Sequence, residues 1–173
     1  MKNQVVNQLI NFFWTILSFV PVIYYWAYNY STLLYGLIFF SLVFAFLPGS
    51  ILNRIQLSDD RRFYERWGVK LIRKLVQNGT YANTAINKND PQYKVIKNRS
   101  QAQHYLNTIA MYERYHLACF IFFSITFIHA LYKQQFVAAS LVLGANIIYN
   151  ICPLLLQQYN KLKVTRLLSL TKP

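Results

Sequence analysis

The sequence contains no charged side chain between Lys2 and Arg54. An α-helix rises about 1.5 Å per residue and the hydrocarbon core of a bilayer is about 30 Å thick, so roughly 20 apolar residues cross it. The uncharged stretch is long enough for two such crossings. A soluble domain of 173 residues could not bury so long an uncharged stretch in one core. The sequence therefore excludes an ordinary soluble domain, and with 55% hydrophobic residues it also excludes a disordered chain.

The pattern predicts one all-α, integral membrane domain with four transmembrane helices arranged as two hairpins. An amphipathic helix is expected to lie at the cytoplasmic membrane surface between the two hairpins. In chain order, the predicted segments are a first hairpin at 1–53, a basic segment at 54–111, a second hairpin at 112–156 and a basic tail at 157–173. The spans of the first hairpin lie near Leu9–Tyr28 and Thr32–Pro48. Those of the second lie near Tyr112–Tyr132 and Phe136–Leu156.

The basic residues predict the orientation of the chain. There are 18 Lys and Arg residues against 5 Asp and Glu, and of the 18 only Lys133 falls in a predicted outer loop. Cytoplasmic loops of membrane proteins collect Lys and Arg, so both termini and the central segment are expected in the cytoplasm. Because this charge flanks apolar spans, it is not interpreted as a nucleic-acid surface.

The central basic segment begins with a predicted helix at Asp59–Val76. Its apolar residues, which include Phe63 and Trp67, recur every four positions, and Arg62 and Arg66 belong to a parallel basic stripe. This pattern is typical of a helix that lies in the headgroup layer. Two interpretations remain open: a cradle for an anionic headgroup or a coenzyme's phosphates, and a surface helix that only helps to hold the topology.

Glu113 and His116 are the ionisable residues at the predicted cytoplasmic start of the third span. They are three positions apart, so they share one face of the helix. A carboxylate beside an imidazole can orient it as a general base that takes a proton from a hydroxyl. The alternative is a Glu–Arg pair at the membrane surface, with a histidine that only hydrogen-bonds a neighbouring helix.

The fourth predicted span carries a polar face on its cytoplasmic half, formed by Asn146, Asn150, Pro153 and Gln157. Two spans joined by a short turn lie antiparallel, so Asn150 and Gln157 should meet His116 at a similar depth. Pro153 frees a backbone carbonyl there, which is tolerated where a cavity or a polar partner satisfies it. Hydrogen bonds that only hold the helices together are the alternative interpretation of this face.

Several of these residues also form a recognisable signature. Residues 150–163 (NICPLLLQQYNKLK) resemble the Asn-x-x-Pro…Gln-Arg-Tyr-Asn-Arg-x-Arg signature of the glycosyl-diaponeurosporenoate acyltransferase family. Weaker similarities lie at Glu113-x-x-His116, at residues 63–68 and in the turn from Leu47 to Arg54, so the resemblance covers roughly 48–168. The chain departs from the signature where Gln158, Lys161 and Lys163 replace Arg.

The resemblance implies a small bacterial membrane acyltransferase, located in the inner membrane, that moves a fatty acyl group to a sugar hydroxyl of a glycosylated carotenoid. In the preferred hypothesis His116 is the base, Glu113 orients it, and Asn150 and Gln157 hold the acceptor or the developing oxyanion. The donor's phosphates or a headgroup would be bound by the remaining candidates, which are Arg54, Arg62, Arg66, Tyr159, Asn160 and Lys161.

The expected co-substrate is a fatty acyl thioester, either acyl-CoA or an acyl carrier, with no resident cofactor and no metal. Expected partners are membrane lipids and a lipid-like hydroxyl acceptor. The second hypothesis is a non-catalytic membrane subunit that docks a partner protein through its basic cytoplasmic helix and tail. A lipid-lined cavity beside Glu113 and His116 would favour the enzyme, and tight packing of those side chains would favour the subunit.

Overall fold

The computed structural model describes residues 2–76 and 98–170, together with residues 79, 84 and 96, and these residues contain helices and no strand. Most of the segment between residues 77 and 97, part of the predicted basic segment 54–111, lies outside the described residues. The helices are α1 (Lys2–Tyr28), α2 (Leu33–Val43) continued by a 3₁₀ turn (Phe44–Phe46), α3 (Gly49–Arg54), α4 (Arg61–Arg66), α5 (Val69–Leu75), α6 (Arg99–Tyr132), α7 (Phe136–Asn146), a π-helical segment (Ile147–Ile151) and α8 (Cys152–Leu170).

Three described stretches are long and apolar enough to cross a membrane: Asn7–Tyr28, Arg99–Tyr132 and Phe136–Leu170. The part of the chain that the structure describes is thus all-helical, with three helices that could cross a membrane. The second predicted span instead forms a shorter apolar helix at Leu33–Phe46, about 21 Å long at 1.5 Å per residue. Four crossings in two hairpins therefore remain a prediction.

The amphipathic helix predicted at Asp59–Val76 is interrupted and forms the two short helices α4 and α5. Gly68 separates them and adopts the left-handed conformation, with φ of 78°. This conformation is less favourable for any residue that has a Cβ than it is for glycine. Trp67 and Leu71 on the outer face are 64% and 63% exposed, whereas Tyr64 and Val69 are fully buried. The interruption lets α4 and α5 pack against α8 while the apolar outer face remains open for lipid.

The helix α6 begins at Arg99, thirteen residues before the third predicted span. It packs along α7 and α8, and a short turn that includes Gln134, with φ of 56°, reverses the chain. Between α7 and α8 the backbone passes through the π-helical segment. Pro153 follows this segment, and because proline has no N–H the carbonyl of Tyr149 loses its regular helical donor. Such π segments are frequent at functional sites.

Hydrogen bonds between α1 and the second hairpin fix the end of the bundle farthest from the basic segments. The Trp26 indole donates to Thr126, and Asn29 and Gln135 exchange two hydrogen bonds across the outer turns. Outward-facing aromatic residues such as Phe39, 75% exposed, form an apolar surface that suits contact with lipid.

Candidate active site

A cavity of about 910 Å³ lies between α1, α5, α6 and α8. This volume is at the upper end of the range in which proteins bind small ligands, about 300–1,000 Å³. Most of its wall is apolar, as Trp14, Met111 and Leu156 illustrate, and the polar groups gather at a few positions. The middle of α1 is held to α5 by a hydrogen bond of 3.0 Å from the Trp14 indole to the carbonyl of Leu75.

Three buried polar atoms at the cavity have no hydrogen-bond partner among the described residues. They are Nδ1 of His116, Oδ1 of Asn150 and Oε1 of Gln157. His116 and Gln157 line the cavity, and the imidazole faces the side chain of Asn150 and the backbone of Tyr149. An unpartnered buried polar atom costs about 1–3 kcal/mol, so its presence calls for an explanation such as a bound ligand. All three residues belong to the predicted site.

A chain of hydroxyl groups borders the imidazole. The Tyr149 hydroxyl lies 2.9 Å from that of Thr15 and 2.8 Å from that of Tyr115. The rings of Tyr115 and Tyr149 both stand edge-on to His116. These contacts join α1, α6 and the π-helical segment and fix the position of the ring.

Glu113 lies about one helical turn before His116 in α6. Its carboxylate pairs with a residue of another helix and not with His116. Its two carboxylate oxygens each lie 3.2 Å from Nζ of Lys161 on α8, and the two side chains are only 3% and 13% exposed. No hydrogen bond among the described residues joins the Glu113 carboxylate to His116. The ion pair therefore holds α8 against α6 at a point outside the cavity wall.

Tyr159 is the centre of a charged network on the basic side of the bundle. Its hydroxyl donates to Glu65 over 3.0 Å and accepts from Arg61 over 3.3 Å. Lys70 lies 2.7 Å from the other carboxylate oxygen of Glu65. The hydrogen bond from Lys70, followed by that from Tyr159, holds the pKa of Glu65 below its usual range.

Only part of the predicted site lines the cavity: His116, Gln157 and Asn160 do, and Asn150 is buried directly behind His116. Tyr159 and Lys161 hold the helices together, as described above. Arg54, Arg62 and Arg66 are exposed and lie outside the cavity wall. Sequence reasoning missed the cavity residues Thr15, Tyr115, Tyr149, Arg73 and Lys163.

Gln158, where the family signature has Arg, supports the turn before α4. Its Oε1 accepts a 3.1 Å hydrogen bond from the backbone N–H of Leu57 and lies 3.0 Å from the Tyr64 hydroxyl. Its Nε2 donates to the carbonyl of Ile55 over 3.4 Å. The side chain is buried and serves packing, so an uncharged amide suits this position.

The helices and the cavity define a helical membrane protein with an apolar, ligand-sized site near the basic side of the bundle. The sequence model of the glycosyl-4,4'-diaponeurosporenoate acyltransferase family matches residues 48–170, more than half of the chain, and the chain therefore belongs to this family of acyltransferases. No curated protein and no solved structure matches the chain. The match begins after α1 and α2, although Asn11, Trp14 and Thr15 of α1 line the cavity.

Proposed function

We propose that this protein transfers a fatty acyl group from a thioester donor to a hydroxyl of a lipid-like acceptor, at the cytoplasmic face of a bacterial inner membrane. A glycosylated carotenoid is the acceptor class that the family description suggests. The donor is acyl-CoA or an acyl carrier, and the acyl chain lies in the apolar part of the cavity.

One observation carries the proposal: unpartnered polar atoms of His116 and Gln157 belong to residues that line one cavity, and Asn150 is buried directly behind His116. An apolar cavity with a few convergent polar groups is the usual form of a site for a lipid-like substrate. The Oε1 atom of Gln157 is an amide oxygen in the cavity wall, and an amide oxygen can only accept hydrogen bonds. The missing partner is therefore a donor, and a substrate hydroxyl is such a group.

His116 acts as the general base through Nδ1. The acceptor oxygen attacks the thioester carbonyl and forms a C–O bond, while the hydroxyl proton moves to the imidazole. The C–S bond then breaks, and the departing sulfur takes the proton back from the imidazolium. The products are an ester and a free thiol, and the imidazole is neutral again.

Gln157 positions the acceptor, and Asn150 positions the imidazole. The Oε1 atom of Gln157 accepts a hydrogen bond from a second hydroxyl of the acceptor, and Asn150 keeps the imidazole in place. Because its carboxylate is paired with Lys161, Glu113 acts on the site through the position of α8, not by contact with the imidazole. The family match favours this enzyme over the non-catalytic subunit.

The test is a transfer assay in membranes that contain the full-length protein. A fatty acyl-CoA labelled in the acyl chain is added, and lipid products are separated and identified by mass spectrometry. The expected result is labelled ester in one lipid class, absent from membranes without the protein. The same assay is repeated with acyl carrier protein as the donor.

Gln157→Ala serves as the site variant and Gln103→Ala, an exposed glutamine on α6, as its matched control. Gln157→Ala should raise the KM for the acceptor, and Gln103→Ala should change nothing. Absence of any protein-dependent labelled ester with both donors would refute the proposed reaction.

A further inference from the structure

Two cations that the sequence analysis did not select line the cytoplasmic part of the cavity. They are Arg73 on α5 and Lys163 on α8. Arg61 of α4 adds to the positive potential at Lys163, but it donates to the Tyr159 hydroxyl and lies outside the cavity wall. Two helices, α5 and α8, therefore bring positive charge to one end of the cavity.

Within the described residues, the carboxylate that acts on Lys163 is already engaged by other groups. The structure places Glu65 within electrostatic reach of Lys163, and Glu65 is already paired with Lys70 and hydrogen-bonded to Tyr159. Glu65 also lies 3.8 Å from Arg61, so it is shared by two other cations, and no ion pair in the described part of the chain engages Arg73 or Lys163. Like charges held close together destabilise a fold, so this arrangement is typical of a site for an anion.

The position of the cluster along α8 restricts which anion fits. Lys163 follows Asn150 by thirteen residues, a rise of about 20 Å along the helix, and Asn150 lies level with His116. Side chains of a helix lean towards its N-terminus. The Lys163 ammonium therefore lies somewhat closer to His116 than the Lys163 backbone does. The phosphate and the reacting carbonyl of the ligand must be separated by a comparable distance.

Phosphopantetheine thioesters meet this requirement. About fourteen bonds separate the phosphorus from the acyl carbonyl, which extends to roughly 16 Å at the ~3.5 Å per three bonds of an extended chain. In a phospholipid the ester carbonyl is only a few bonds from the phosphate. A phospholipid could not place its phosphate at Lys163 and its ester at His116 together.

We infer that Arg73 and Lys163 bind the phosphate end of a phosphopantetheine thioester donor, whose acyl carbonyl then lies at His116. This inference rests on the proposed acyl transfer and names the donor-binding part of that site. CoA and an acyl carrier protein both present this phosphate. The cluster therefore selects the donor, while Gln157 selects the acceptor.

The test measures binding and not turnover. Full-length protein in nanodiscs of phosphatidylcholine is titrated with palmitoyl-CoA thioether, in which a methylene replaces the reacting carbonyl. The second probe is palmitoyl-pantetheine thioether, which has no phosphate, and the third is the same thioether on acyl carrier protein. The wild type should bind at least one phosphate-bearing probe about tenfold or more tightly than the phosphate-free probe.

The variant Arg73→Gln/Lys163→Gln should lose this preference and bind all three probes within about twofold. Because the substitutions relieve repulsion, the variant should unfold at a temperature no lower than the wild type; the single variants provide an independent check. The control Lys74→Gln removes the same charge from the adjacent, exposed position of α5 and should keep the preference.

His116→Ala should keep the preference as well, which separates failure of this inference from failure of the proposed reaction. Equal binding of all probes by the wild type would overturn the inference. So would an unchanged preference in Arg73→Gln/Lys163→Gln. Loss of the preference in nanodiscs containing phosphatidylglycerol would also overturn it, because a lipid headgroup would then be the occupant.

Discussion

The ammonium of Lys161 lies 3.2 Å from both carboxylate oxygens of Glu113, in a position where almost nothing of either side chain is exposed. The pair joins α6 to α8 directly below the cavity. Charges this deeply buried are costly unless they are paired. The relative position of the two helices, and with it the distance from His116 to the polar face of α8, therefore depends on this contact.

Glu113→Gln should destabilise the protein by about 3 kcal/mol or more, because removal of one partner leaves the other charge buried and unpaired. The measurement is a denaturant or thermal unfolding curve of the purified protein in mild detergent. The variant should also lose transfer activity in proportion to its folded fraction.

The double variant Glu113→Gln/Lys161→Gln removes both charges and should recover most of the stability lost in Glu113→Gln. Recovery of folding together with substantial activity would agree with a positioning role for Glu113. A stable single variant whose folded form has lost activity would instead favour direct orientation of His116.

Gln158→Leu should destabilise the turn before α4. The backbone N–H of Leu57 would lose its acceptor, and a buried unsatisfied group costs about 1–3 kcal/mol. Limited proteolysis should cut between Ile55 and Asp60 faster in this variant than in the wild type. An unchanged cleavage rate would show that the amide does not hold the turn.

The carboxylate of Glu65 should make the packing of α4 and α5 sensitive to acid. Its pKa is lowered in the folded protein, chiefly by Lys70, so its contribution is fully present above the usual carboxyl range and is lost as the pH falls through the lowered value. The unfolding temperature should fall with pH less steeply in Glu65→Gln than in the wild type. Parallel curves for the two proteins would contradict this assignment.

The predicted orientation can be tested with single cysteines. In a background where Cys119 and Cys152 are replaced by alanine, Lys133→Cys in the outer turn should react with a membrane-impermeant maleimide applied to intact cells. Ser169→Cys, exposed in the basic tail, should react only after the membrane is permeabilised. The reverse pattern would invert the topology.

Much of the fold follows from the sequence because hydrophobic length and charge placement are local properties. The first and third apolar helices and the short turn at Lys133 are predicted from these alone. The break at Gly68 was not predicted, because the four-residue spacing of Phe63 and Trp67 continues through it. The π-helical segment was also missed, although Pro153 marks its position.

The site was only partly predictable for a related reason. The sequence predicts His116, Asn150 and Gln157 because polar residues in an apolar span are rare, and the two amides share one face of the fourth span. Thr15 and Tyr149 were missed because hydroxyl groups are common in spans, and only the packing of α1 brings these two together. Arg62 and Arg66 were preferred to Arg73 because the basic stripe was extrapolated along one unbroken helix.

The central claim is that His116 performs proton transfer inside the cavity. The most direct measurement compares the acyl transfer rate at saturating donor and acceptor in His116→Ala and in His104→Ala, which removes an exposed histidine from the same helix. His116→Ala should lower the rate about 100-fold or more while binding of palmitoyl-CoA thioether is unchanged, and His104→Ala should match the wild type. A folded His116→Ala protein with the wild-type rate would contradict the claim.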